Sequence, residues 1–242
     1  MLSTICYKSL IFSAKSKVME HLVAKISIML VPALLAVTLH EVAHGYVADR
    51  FGDPTARLLG RLTLNPLKHL DPIGTLALIV FKFGWARPVP VNYRNLRNPK
   101  RDMIWVALAG PATNLGLAVF SALSMRFFIL LRSTDLGEFG NVLDPLSLMA
   151  AFSLYINVIL GIFNLIPIPP LDGGRILSAI LPERYGDFFN RLEYFGFIII
   201  LFVIFYTPIW PMLLQPLVSL CVHVLAGKDS AVVFQVLNFL RT

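Results

Sequence analysis

Two histidines and a glutamate stand close together in an apolar run, Leu39-His40-Glu41-Val42-Ala43-His44-Gly45. Residues four apart share a helix face, so His40 and His44 can hold one metal ion between them. Glu41 lies beside them, where a carboxylate can exchange a proton with a water at that ion. From Ile26 to Ala48 the one charged side chain is Glu41, and a run of this length reads as a membrane-spanning helix. Ionisable groups are costly inside a bilayer, which marks the trio as a functional site. A catalytic zinc takes three protein ligands and keeps one position open. HEVAH therefore lacks a ligand, and an Asp, Glu or His elsewhere must supply it.

The elements that position this site follow from hydropathy. The chain has 242 residues, 57% hydrophobic and 14% charged, with a mean hydropathy of +0.73. Soluble domains are closer to half apolar and a quarter charged, so the expected fold is an all-α polytopic membrane protein. The length accommodates about four to six transmembrane helices. The expected spans are 26–50, 103–125 and 146–166. The uncharged tract between Glu193 and Lys228, interrupted by Pro208, Pro211 and Pro216, reads as a two-span hairpin or one kinked helix. Residues 1–25, with Lys8, Lys15, Lys17 and Lys25, read as a surface helix or a disordered leader. Three parts result: the leader 1–25, a catalytic core 26–175 containing a re-entrant region 52–102, and a C-terminal part 176–242.

The 52–102 region is rich in Gly, Pro, Asn and Arg. Leu58–Leu64 and Val89–Val91 look like short extended pieces, suited to pairing with an unwound substrate segment. Pro72–Phe81 is apolar but short, at a length that is more often re-entrant or interfacial than spanning, and irregular backbone at membrane depth needs cover from protein or a watery cavity. This region is expected over or beside the metal site. His69 within it is expected to satisfy local backbone, with a further polar group at the site as the alternative, while His21 and His223 are expected at the interface.

The 21 Lys and Arg outnumber the 14 Asp and Glu. No basic stripe interleaved with aromatics suggests nucleic acid, and the excess suits loops facing an anionic cytoplasmic leaflet. Cys6 and Cys221 form no CxxC, so the metal site must use nitrogen and oxygen ligands. The 51–102 loop is basic, the 132–145 loop is acidic with Asp135, Glu138 and Asp144, and the 172–191 loop is basic again. If Pro72–Phe81 does not cross the bilayer, the first and third spans run parallel, and Asp172, just past the third, can reach His40 and His44. If it does cross, they lie a bilayer apart. Pro167, Pro169 and Pro170 break the helix before Asp172, and Gly173 and Gly174 free the backbone after it.

HEVAH at 40–44, AGPATN at 109–114 and NLIPIPPLDGGR at 164–175 together resemble the motifs of the site-2 protease family of intramembrane zinc metalloproteases. The resemblance runs over roughly residues 28–181. GRLTLNP and WARPVPVN resemble its compact bacterial and archaeal branch, without PDZ or CBS domains. The resemblance implies one zinc ion held by His40, His44 and Asp172, with Glu41 as the catalytic acid–base. It implies that Asn164 holds the substrate backbone or the oxyanion, and that Asn114 is a second asparagine at the substrate or transition state. It also implies a membrane-protein substrate in a lipid bilayer, in a prokaryotic plasma membrane with the site toward the cytoplasm. Self-association stays open. Two rival functions remain at this level: a silent family member that binds membrane proteins, and a zinc transporter. The intact HExxH speaks against the first. The lack of ionisable residues in the second span before Arg126 speaks against the other.

Overall fold

The computed structural model describes residues 2–81, 84–134, 140–182, 195–196, 198–203 and 206–241. Eight α-helices can be delimited among them. They are α1 (Leu2–Arg50), α2 (Thr55–Leu58), α3 (Pro72–Phe81), α4 (Pro99–Arg132), α5 (Gly140–Asn164), α6 (Asp172–Ile180), α7 (Gln215–Ala226) and α8 (Ser230–Arg241). Among the described residues, four stretches are long and apolar enough to cross a membrane: Leu22–Arg50, Pro99–Arg132, Val142–Asn164 and Trp210–Leu240. The fold is all-α and polytopic, as the hydropathy requires. Asp135, Glu138 and Glu193, the side chain of His21, and residues 183–191 of the loop from 172 to 191 lie outside the described residues or side chains.

Helices α1, α4 and α5 form the core of the bundle. Their outward residues are large: Leu30 and Leu35 on α1, and Phe120, Leu123 and Phe127 on α4, are exposed. Their inward residues are small: Ala36, Ala107, Gly110, Ala118 and Ala122 are buried. Lipid offers no hydrophobic drive for helix association, so close backbone approach through small residues holds such helices together. Helix α8 closes one side of the core through Val233 and Val236, and Lys25 of α1 lies over the Phe239 ring at 5.2 Å.

Three boundaries differ from expectation. Residues 2–25 are helical and continuous with the first span, because α1 runs unbroken from Leu2. Lysine is a good helix former, so the change in composition near residue 25 ends the apolar run without ending the helix. Helix α5 begins at Gly140, inside the expected loop, where Asp144 pairs with Arg132 at 3.0 Å. Pro211 does not break the C-terminal tract, because it sits in the first turn of a helical segment, where its missing N–H has no partner to lose, and Pro216 directly follows the π-helical turn Trp210–Leu214, through which the helix continues.

The 51–98 region folds over the end of α1. Gly52, at φ +109°, turns the chain out of the helix in a conformation that favours glycine. Asp53 is fully buried and clasps the region together. It accepts from the Asn92 N–H at 2.6 Å, from Asn95 Nδ2 at 2.8 Å, from the Thr55 N–H at 3.2 Å and from the Thr55 hydroxyl. The extended pieces form no ladder among the described residues. Leu58 belongs to α2, and the sheet-like contact is one antiparallel bridge, Leu70 to Ala86. Pro88 and Pro90 carry no N–H, which removes two ladder donors from this stretch. Helix α3 has 10 residues and is about 15 Å long, half the thickness of a bilayer core, so it does not cross. His69 is buried and its Nε2 donates to the Thr63 carbonyl at 2.8 Å, the local backbone role expected of it. His223 is exposed and bonds the Ser219 carbonyl of its own helix at 2.7 Å.

Candidate metal centre

His40 and His44 project from α1 toward α4 and α6. Their Nε2 atoms are 3.0 Å apart, and each lies 3.2 Å from Asp172 Oδ2. All three residues are buried. The structure thus brings the expected third carboxylate to the two histidines. Asp172 arrives on the first residue of α6, and the reason is steric. A Cβ on Gly173 would strike the Leu165 and Ile166 carbonyls, and one on Gly174 would meet Pro169 N at 2.5 Å. Both glycines are helical, with no positive φ. They serve close approach of α6 to the 165–169 backbone, in place of the backbone freedom expected from the sequence.

The orientation of the two imidazoles comes from α4. Val106, Gly110 and Asn114 are spaced four apart and share one face of that helix. The Val106 carbonyl takes a hydrogen bond from His44 Nδ1 at 2.7 Å. A carbonyl only accepts, so His44 Nδ1 carries the hydrogen and Nε2 keeps its lone pair. His40 Nδ1 donates to Asn114 Oδ1 at 2.5 Å. That amide is itself oriented, because its Nδ2 donates to the Ala36 carbonyl at 3.3 Å and to Asn157 Oδ1 at 2.8 Å. Asn157 in turn donates to the Ser153 carbonyl at 2.9 Å. Backbone acceptors at Ala36 and Ser153 therefore fix the relay, and His40 also presents a bare Nε2. Between α1 and α4 there is room for no side chain: a Cβ on Gly110 would stand 2.6 Å from His40 Nε2 and strike His44 Nε2.

Three acceptors, two imidazole nitrogens and a carboxylate oxygen, thus face one another in a buried site. Asp172 Oδ2 has no hydrogen-bond donor. A cation among them resolves their mutual repulsion. Tetrahedral zinc with ligands about 2.1 Å away sets those ligands about 3.4 Å apart, close to the triangle found here. The donor set fits zinc, and the relay to His40 and His44 supplies the outer hydrogen bonds that such ligands take.

Glu41 lies half-buried beside the triad and its Oε2 accepts from the Val89 N–H at 2.7 Å. Arg61, mostly buried, donates through Nη2 to the Arg87 carbonyl at 2.9 Å and to the Pro88 carbonyl at 3.3 Å. Burial, and then the like charge of Arg87, push the Arg61 guanidinium below its usual range, while Glu41 opposes them. Asp53 is held below the ordinary carboxylate range. Burial raises it, and the hydrogen bonds from Thr55, Asn95 and Asn92 outweigh that effect.

The asparagines divide. Asn114 is fully buried and its carboxamide is engaged by His40, Ala36 and Asn157, so its place is behind a histidine. Asn164, at the end of α5, donates Nδ2 to the Leu160 carbonyl at 3.0 Å. Asn157 and the Val106 carbonyl were missed from the sequence. A lone asparagine inside an apolar span was the available signal for the first. A backbone carbonyl leaves none.

A buried His, His, carboxylate set within a membrane helix bundle is the donor set of a zinc hydrolase. Comparison with known proteins narrows the class. Residues 131–206 match the model of peptidase family M50. The chain is 41% identical over 204 residues to the candidate zinc metalloprotease YwhC of Bacillus subtilis (strain 168), covering 84% of this chain and 88% of that one. It is 33% identical over 183 residues to the candidate zinc metalloprotease Rip2 of Mycolicibacterium smegmatis, covering 72% and 65%. With zinc metalloprotease MJ0392 of Methanocaldococcus jannaschii it shares 30% over 161 residues, 66% of this chain and 36% of that one. No solved structure matches it. The chain belongs to peptidase family M50, the site-2 protease family, and this membership carries a zinc metalloendopeptidase activity.

Proposed function

We propose that the chain hydrolyses peptide bonds in or near the transmembrane segments of other membrane proteins, as in regulated intramembrane proteolysis. The observation that carries this reading is the position of the triad. His40 and His44 are buried in a helix that is itself long and apolar enough to span the bilayer. A substrate reaching them meets the site at or below the membrane surface.

In this reading His40, His44 and Asp172 hold one zinc ion, which supplies Lewis acidity toward a water and the scissile carbonyl. Glu41 takes a proton from the attacking water and passes it to the leaving amine. Asn164 steadies the substrate backbone or the developing oxyanion, which requires its amide to leave the Leu160 carbonyl. Asn114 acts through His40, which it orients. A peptide bond in a transmembrane helix is shielded by its own hydrogen bonds, so the substrate must unwind locally before attack. The basic 51–102 loop, which covers the triad end of α1, favours a site toward the cytoplasmic face of a prokaryotic plasma membrane. The partners are a membrane-protein substrate and the bilayer, with self-association left to measurement.

The test is cleavage of a model transmembrane substrate by the purified chain and by Glu41→Gln. Wild type should cleave and Glu41→Gln should lose at least about a hundredfold in kcat while keeping its zinc. Equal cleavage by both overturns the assignment.

A further inference from the structure

We propose that residues 85–92 are a strap that positions the Glu41 carboxylate, with the Val89 N–H as its contact and Arg61 as the positioning side chain. The inference rests on Glu41 being the acid–base group. It concerns what holds that group in place.

The Val89 N–H reaches Glu41 Oε2 at 2.7 Å across a sequence separation of 48 residues. Val89 lies between Pro88 and Pro90, so it carries the one backbone donor of these three positions. The two prolines also restrict φ on either side, and Pro90 biases Val89 itself to an extended backbone. The strap is seated on the helix that carries the glutamate. Val89 is 4% exposed, and a Cβ built on Gly45, one turn past Glu41, would lie 2.9 Å from Val89 Cγ1 and 2.6 Å from Leu62 Cδ2. It is tied on both sides of the contact. Upstream, Arg61 Nη2 holds the Arg87 and Pro88 carbonyls. Downstream, the Asn92 N–H is held by Asp53 Oδ2 at 2.6 Å. Arg61 is nearly buried, its Nε has no hydrogen-bond partner, and its hydrogen bonds among the described residues are those from Nη2 to these two carbonyls.

The consequence is geometric. A hydrogen bond to a carboxylate is charge-assisted and directional. With Oε2 tied to the strap, the carboxylate has a fixed rotamer and Oε1 remains for the proton-transfer step. A catalytic group gains from such outer support because a small displacement of it is costly in rate. A guanidinium offers only N–H donors and no lone pair, so Arg61 is not a metal ligand. It acts through Val89 on Glu41.

Two measurements on the full chain in liposomes test this. The first needs no turnover: amide hydrogen exchange in the 84–92 segment of wild type and Glu41→Ala. Val89 exchange should rise by about tenfold or more in the variant, while the Asn92 amide, held by Asp53, stays within about twofold. Unchanged Val89 exchange overturns the strap whatever the chain cleaves. The second is kinetic, with zinc content measured alongside. Val89→Pro removes the donor and Arg61→Gln removes the clamp. Each should lower kcat by about tenfold or more with KM and zinc content within about twofold. Val89→Ala, which keeps the N–H, should stay well above Val89→Pro, and Arg61→Lys should recover part of the loss. Wild-type kcat in Val89→Pro or Arg61→Gln overturns the proposal. So does a loss confined to KM, or one that follows zinc content. A wild type that binds no zinc and cleaves nothing would instead refute the proposed function, and the exchange result would still stand by itself.

Discussion

Replacing Gly110 with alanine should weaken zinc binding without touching any ligand. The added methyl would stand 2.5 Å from His40 Cε1 and 2.6 Å from His40 Nε2, and would strike His44 Nε2. Ordinary contacts of this kind are about 3.5–4.0 Å, so about 1 Å of relief is needed. The imidazoles have little freedom to provide it. Their Nδ1 atoms are tied to Asn114 and to the Val106 carbonyl, which lie on the same helix face as Gly110 itself. Moving α4 outward to admit the methyl therefore pulls on both anchors at once. Overpacking of this kind costs about 1–3 kcal/mol, and disturbing the outer hydrogen bonds of metal ligands lowers affinity about 10–100-fold. The assay is zinc retention of the purified chain against a graded chelator, with substrate cleavage read alongside. Gly116→Ala is the control, because it lies on the same helix with nothing within 4 Å of an added Cβ. Gly110→Ala should lose zinc at chelator levels that leave wild type and Gly116→Ala loaded. Equal retention in all three refutes the claim that α4 sets the imidazoles by direct contact.

Asn157→Leu should lower zinc affinity about tenfold by releasing the Asn114 amide that orients His40, measurable in the same chelator series. The Asp53 clasp should show a defined pH dependence. Its folded pKa is depressed below the ordinary 3.8, so its stabilising contribution is fully present above about pH 4 and is lost as pH falls through the depressed value. Protection of the Asn92 amide should fall over that acid range in wild type, and Asp53→Asn should show lower protection with a flat profile.

Much of this was legible in the sequence because it rests on local rules. Apolar runs of span length gave α1, α4 and α5, and the i, i+4 spacing put His40 and His44 on one face. Parallel first and third spans brought Asp172 within reach, and that juxtaposition is what the structure contains. What stayed hidden depends on tertiary contact. Gly110 reads as an ordinary helix glycine until two imidazoles are found against it. Asn157 drew no reading from the sequence, although Ser153, Asn157 and Asn164 recur at helical spacing on α5. The 52–102 region reads as re-entrant, with short extended pieces at Leu58–Leu64 and Val89–Val91. Its conformation is in fact set by Asp53 and Arg61, whose long-range partners lie 26 to 42 residues away. No local pattern encodes such pairs.

The claim on which the rest depends is that Asp172 completes a zinc site with His40 and His44. The direct measurement is zinc stoichiometry of the purified chain by atomic spectroscopy, for wild type, Glu41→Gln and Asp172→Ala. One zinc per chain is expected in wild type and Glu41→Gln, with zinc largely lost in Asp172→Ala. Full zinc occupancy in Asp172→Ala, held as firmly against chelator as in wild type, would contradict it.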